Sequence, residues 1–163
     1  MKTLSNYRKT FFTMLATSLI TCSLLVACDK DDDDIVDNDD TFALSGTASG
    51  SKEIPTNTST GSATLTGTYN ARTNSLMYTI NWTGLSGNLS AAHFHGPATE
   101  TESANPMQDI TIGTNGASGT TSATVTVTDA FETALLAGKI YYNLHTALYP
   151  NGEVRSQVTT SPQ

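Results

Sequence analysis

From Ser75 to Trp82 the sequence reads SLMYTINW, with Leu76, Tyr78, Ile80 and Trp82 at every second position and Met77, Thr79 and Asn81 between them. Successive side chains of a strand point to opposite faces, so this run has one apolar and one polar face as a strand and neither as a helix. The preceding run, GSATLTGTY, sets Ala63, Leu65 and Tyr69 against Ser62, Thr64, Thr66 and Thr68, and NARTN between the two runs predicts a hairpin turn. GTTSATVTVT alternates in the same way, with Ala123, Val125 and Val127 inward and Thr124, Thr126 and Thr128 outward. Further short runs, FALSG, LSAAHFHG, MQDITIG, KIYYNLHT and GEVRSQVT, are separated by Gly, Asn and Pro, including the polar loop 98–107 with Pro106 and the turn YPNG. The fold class is all-β, an antiparallel β-sandwich with Greek-key-like connections. One short connector helix interrupts it: Asp129 caps AFETALLAG, Glu132 is its capping-box partner, and Gly138 ends it.

The first forty residues have a different character. Lys2, Arg8 and Lys9 precede an apolar run from Phe11 to Ala27, which is too short and too polar for a spanning helix of about 20 apolar residues. The run ends in Leu25-Val26-Ala27-Cys28, which resembles a bacterial lipobox and makes Cys28 the expected lipidation site. Residues 1–27 are then a signal peptide, 28–40 a lipidated cysteine with its tether, and 41–163 a single β domain. Cleavage leaves Cys28 as the sole cysteine, since Cys22 goes with the signal, so the domain has no disulfide and must be held by its core. The tether DKDDDDIVDNDD has eight Asp and one Lys, repels itself and stays solvated. Lysine followed by acidic residues after the lipid cysteine resembles the surface-export signal of Bacteroidetes lipoproteins. The expected location is the outer membrane, lipid-anchored and facing the cell surface.

Net charge is −7, and residues 41–163 hold four basic and seven acidic residues, so there is no basic stripe for nucleic acid. No Gly-x-Ser-x-Gly elbow, phosphate-binding loop or cysteine pair is present, and the Ser and Thr of the alternating runs reflect β-propensity. The domain therefore reads as non-catalytic. Trp82, Tyr141, Tyr142 and Tyr149 offer an aromatic platform for a glycan, although the alternation of Tyr78 and Trp82 favours core packing for those two.

The phrases AAHFHGPA and YYNLHTALYPNGEVRSQV closely resemble the CHRD domain, a module named after chordin and common in bacterial secreted proteins. FALSGTASGSKEIP resembles its opening strand and Glu-x-Pro turn, TNSLMYTINWTGLSG its middle hairpin, and ALLAGKIYYNLHT its helix-to-strand passage. The resemblance covers about residues 42–159 and implies the fold; it implies no particular chemistry. The expectation is a binding or adhesion module whose partner is an extracellular protein or glycan, with a structural envelope protein as an alternative.

All three histidines lie in two of the strand-like runs, HFHGP and YYNLHT. Residues two apart on a strand face the same way, about 6.6 Å apart, so His93 and His95 project together, and Tyr141, Asn143 and His145 share one face of their run. If the two strands are neighbours, three imidazoles converge, a set suited to Zn²⁺ or Cu²⁺ with an open position. Asn143, Glu153 and Arg155 are then candidates to orient the rings. The alternative is that each ring is polar packing, bonded to a backbone carbonyl. Glu153 and Arg155 share a strand face and form either a surface ion pair or separate contacts, with Arg155 reaching a carboxylate near the histidines such as Glu53.

Overall fold

The computed structural model describes residues 40–163 except Thr114; the expected signal peptide, Cys28 and the expected tether through residue 39 lie outside the described residues. Among the described residues nine strands and one α-helix, besides a 3-10 turn at Gly50–Lys52, follow in order: β1 (Thr41–Ser49), β2 (Ser62–Asn70), β3 (Ser75–Thr83), β4 (Leu89–His95), β5 (Pro106–Asp109), β6 (Gly119–Thr126), α1 (Asp129–Leu136), β7 (Tyr141–Thr146), β8 (Val154–Gln157) and β9 (Thr159–Pro162). Every ladder is antiparallel. The hydrogen-bonded order is β5-β4-β7-β8-β1-β2-β3-β6, with β9 also beside β1.

β1 is where this path turns over. It pairs with β2 along its full length, with β9 from Phe42 to Ser45, and with β8 only at Ser49 opposite Arg155. The two halves of the path thereby face each other as a sandwich. The Tyr78 ring of β3 meets the Phe94 ring of β4 edge-on at 5.3 Å, and Phe94 meets Phe131 of α1 in the same way at 5.9 Å. Tyr142 on β7 is fully buried, and its hydroxyl is bonded across the core to the carbonyls of Gly46 (3.3 Å) and Ala63 (3.2 Å). A buried phenol needs such an acceptor, so these bonds also fix the spacing of the layers.

The alternating runs behave as their pattern dictates. Leu76, Tyr78, Ile80 and Trp82 are all buried, as are Ala63, Leu65 and Tyr69. The polar faces between them are open, and Met77 is one of the few exposed large apolar side chains. MQDITIG supplies an edge strand as expected, but Pro106 begins β5 instead of lying in the loop. Proline suits that place, since it has no N–H for a ladder. GEVRSQVT is not one strand: it breaks at Val158, which is buried and donates its N–H to Ile140 O (2.8 Å). The break lets β8 stay with β7 while β9 joins β1.

The helix begins one residue earlier in its capping logic than the sequence suggested. Thr128 is the cap, its hydroxyl accepting from the Phe131 N–H at 3.2 Å. Asp129 lies in the first turn and accepts from the Asn74 side chain at 3.0 Å, so it is not the cap. Gly138, at φ +68°, follows the helix as expected. With eight residues α1 is too short to stand alone; its buried Phe131, Ala134 and Leu135 attach it to the core. Among the described residues no helix is long and apolar enough to cross a membrane. Thr128→Ala is expected to lower stability by about 1 kcal/mol, measured as a shift in urea midpoint at unchanged slope.

Candidate functional site

β7 is the one strand whose residues are all buried, so both of its faces are covered. Tyr142 and Leu144 face the hydrophobic core. Tyr141, Asn143 and His145 face outward, beneath loops. β4 lies beside β7 with His93 opposite Asn143 and His95 opposite Tyr141. His145 pairs with Ala91, which makes His93 its diagonal neighbour, close enough for side chains to meet. The two histidine-bearing runs are adjacent strands, which meets the condition set for three imidazoles to converge.

The three rings converge. His93 Nδ1 lies 3.2 Å from His145 Nε2, and one nitrogen of each ring lies within 4.8 Å of those of the other two. The other nitrogens of His95 and His145 point outward to fixed partners. His95 Nδ1 meets Ala104 O at 2.9 Å, and His145 Nδ1 meets Pro150 O at 3.0 Å. A carbonyl only accepts, so both rings carry their proton on Nδ1 and present a bare Nε2 to the cluster. His93 is the most exposed of the three, and its Nε2 lies 3.8 Å from Asp109 Oδ1 on β5. Burial lowers the pKa of His95 and His145, and the neighbouring imidazoles push each further down. His95 Nε2 is buried without a hydrogen-bond partner.

Tyr141, on the strand between His95 and Arg155, ties the cluster to the rest of this face. Its ring stacks on His95 at 4.8 Å and 5°, and the Arg155 guanidinium lies over it at 3.6 Å. The Tyr141 hydroxyl and the Ala104 backbone exchange 3.2 Å contacts, holding down the carbonyl that anchors His95. Arg155 is only 2 % exposed, and its Nη2 donates to Thr99 O (3.0 Å) and Glu102 O (2.7 Å). The loop turns those carbonyls inward by folding on Glu102, which accepts from the Thr99 amide and hydroxyl.

The surface ion pair between Glu153 and Arg155 does not exist, because neither side chain reaches the surface. Glu153 is wholly buried in a different set of contacts, accepting from Ser59 Oγ (2.7 Å), Ser86 N (2.7 Å), Ser86 Oγ (2.8 Å) and the Thr146 hydroxyl. Burial acts to raise its pKa, but these donors outweigh it and hold the carboxyl below the usual range. It joins the loops before β2 and β4 to the β7–β8 hairpin and makes no bond to the histidines.

Glu53 lies on the same buried face, drawn toward Arg155 by charge, while the Arg155 hydrogen bonds go to the loop carbonyls. Burial raises Glu53 to about 7, and the charge of Arg155, the Asn143 amide and the Ile54 N–H offset this only in part. Two glycines make the close packing feasible. A Cβ on Gly152, whose φ is +128°, would lie 2.5 Å from Glu53 Oε1 and 2.6 Å from Asn143 Nδ2. One on Gly96 would lie 2.8 Å from Lys139 O.

The aromatic glycan platform does not assemble, since only Tyr149 of its four residues is partly exposed. Trp82, Tyr141 and Tyr142 are 3 %, 3 % and 0 % exposed, and the Trp82 indole is bonded to Gly116 O at 2.9 Å. A different concavity, of about 780 Å³, opens where β1 turns from β9 to β8. Seven of its fifteen lining residues are Ser or Thr, and Lys52, Glu53, Glu100 and Arg155 supply both signs of charge. Sequence reasoning missed this groove and the carbonyls of Thr99, Glu102, Ala104 and Pro150. A carbonyl is common to every residue and leaves no compositional signal; only the glycines at 96 and 152 hinted at close backbone approach.

These features define an all-β sandwich module with a covered polar face on its second sheet. The chain belongs to the CHRD family: a CHRD domain is matched over residues 44–158. No curated protein and no solved structure matches it.

The opposed burial effects generate a pH test. Glu53 keeps its proton to about pH 7 when folded but to about 4.5 when unfolded, so its contribution to stability falls as pH rises through that interval. His95 and His145, with lowered pKa values, oppose this by costing stability as pH falls below 6.5. Subtracting the Glu53→Gln variant from the wild type isolates the carboxyl: the difference in denaturant midpoint is expected to move against the wild type between pH 5 and 8. A constant difference rules the assignment out.

Proposed function

We propose that this chain is a lipid-anchored envelope protein, acylated at Cys28, displayed at the cell surface on its acidic tether, and acting as a non-catalytic module that binds an extracellular protein. The anchoring rests on the lipobox-like LVAC and the Asp-rich run behind it. The observation that carries the binding role is the groove where β1 turns over. It is large enough for several side chains, is polar, and has the exposed Ile54 among its lining residues. With Trp82, Tyr141 and Tyr142 buried, only Tyr149 of the four aromatic residues is left to stack on a sugar, whereas hydroxyls with mixed charge suit the backbone and side chains of a protein segment.

The test uses cells expressing the full chain. Labelled fatty acid is expected to enter the wild type and not Cys28→Ala, and that variant is expected to leave the membrane fraction. A photo-crosslinking residue at Lys52 or Thr101 is expected to give a discrete protein adduct on intact cells, and one at Thr124, on the outer face of β6, none. A Cys28→Ala chain that stays membrane-bound removes the anchor. Equal crosslinking from Thr124 and the groove positions removes the binding role.

A further inference from the structure

We infer that His93, His95 and His145 form a binding site for one divalent transition-metal ion, Zn²⁺ or Cu²⁺, held by His93 Nδ1, His95 Nε2 and His145 Nε2. The inference is independent of the groove and its partner. Its first support is the direction of the rings. Each imidazole has two nitrogens, and in His95 and His145 the nitrogen facing away from the cluster is bonded to a fixed carbonyl, Ala104 O or Pro150 O, while that of His93 faces the exposed Asp109 carboxylate at 3.8 Å. Metal-binding histidines are typically oriented in this way, by a carbonyl or carboxylate on the distal nitrogen. The nitrogens left over are the three that converge.

The second support is an unpaid acceptor. Polar packing of a buried imidazole predicts that both nitrogens find partners, since a buried lone pair without a donor is costly. His95 Nε2 is buried with no partner at hydrogen-bond geometry, the Asn143 side chain being the one polar group that acts on the ring from that side. His145 Nε2 has only His93, and that 3.2 Å contact requires a proton on His93 Nδ1, which a metal would displace. A cation on the cluster side satisfies all three lone pairs together.

Geometry sets how far the rings must move. Ligand bonds of about 2.0–2.1 Å at tetrahedral angles separate nitrogens by about 3.3 Å. The His93–His145 pair is already at 3.2 Å, and the widest separation in the set is within 4.8 Å. His145 and His95 are each pinned by a carbonyl, and His95 also by its stack on Tyr141, so His93 is the ring free to close. It has the most exposed side chain of the three, and its one outward contact is a 3.8 Å approach to an exposed Asp109. Three nitrogen ligands leave a coordination position for water or a small anion. Imidazole suits zinc and copper better than magnesium or calcium, which take oxygen.

The decisive experiment uses the full chain, stripped with chelator and dialysed separately against Zn²⁺, Cu²⁺ and Co²⁺, with metal content measured by elemental analysis. The expected result is one equivalent of metal per chain and a raised thermal midpoint. Bound Co²⁺ should show the intense visible absorption of four-coordinate cobalt. His93→Ala, the substitution least disruptive to packing, is expected to weaken binding by about 100-fold or more, beyond the loss typical of an outer partner, while the metal-free midpoint stays near wild type. Replacing Asp31, Asp32, Asp33 and Asp34 by Ser controls for the tether and is expected to leave binding intact. Failure of all three ions to bind stoichiometrically overturns the site. So does binding that survives in His93→Ala/His145→Gln, or binding that disappears with the tether aspartates.

Discussion

The polar face of the second sheet depends on one buried cation. Arg155 enters from β8, lies across Tyr141 and donates to two carbonyls of the loop that covers β4 and β7. A guanidinium taken out of water is tolerable only when its donors and charge are met. Arg155 meets them with a loop turned inward and an aromatic face, joined by the nearby Glu53 where that carboxyl ionises, above about pH 7. In return the loop is held against the sheet, and Ala104 is placed to receive His95. Removal of the cation would free the loop, and with it one of the anchors that decide which nitrogen of His95 faces the cluster.

This explains why β7 carries chemistry on a strand with no exposed residue. Most sandwich strands bury one face and wet the other. Here the core face is conventional, with Tyr142 and Leu144 sealed against the opposite sheet. The outer face is sealed by loops, so every polar group on it needs a partner from the chain. Nearly all have one. Glu53 Oε1, His95 Nε2, Asn143 Oδ1 and Gln157 Oε1 do not, and the first three belong to this one face. Unsatisfied groups gathered in this way mark a surface arranged for more than packing.

The layer structure was legible in the sequence because period-two alternation is a direct image of a half-buried strand. SLMYTINW and GSATLTGTY named their buried residues correctly, whereas the adjacency of the HFHGP and YYNLHT strands entered the sequence reading only as a condition, and it is the β4–β7 ladder that meets it. Where the reading failed, the deciding interaction was non-local. Thr128 outcompetes Asp129 as the cap because Asn74, more than fifty residues earlier, engages the aspartate. Glu153 and Arg155 look like a surface pair from their spacing, yet loops from elsewhere in the chain bury both and give each separate partners. The break at Val158 depends on the N–H bond to Ile140, which no local window contains.

The groove and the histidine face share a wall. Glu53 and Arg155 line the groove, and the same Arg155 rests on Tyr141, whose ring stacks on His95. A group seated in the groove therefore meets the charges that fix the loop over the histidines. Tyr141 is held in that stack on the strand between His95 and Arg155, so a shift of the guanidinium bears on His95 through a contact of a few ångströms. Close packing allows little slack for such a shift to be absorbed. Gly152 adds to this, since its missing side chain is what lets Glu53 and Asn143 approach each other across the β7–β8 hairpin. The two surfaces are thus mechanically one: strand alternation places the residues, and the buried cation sets their orientation.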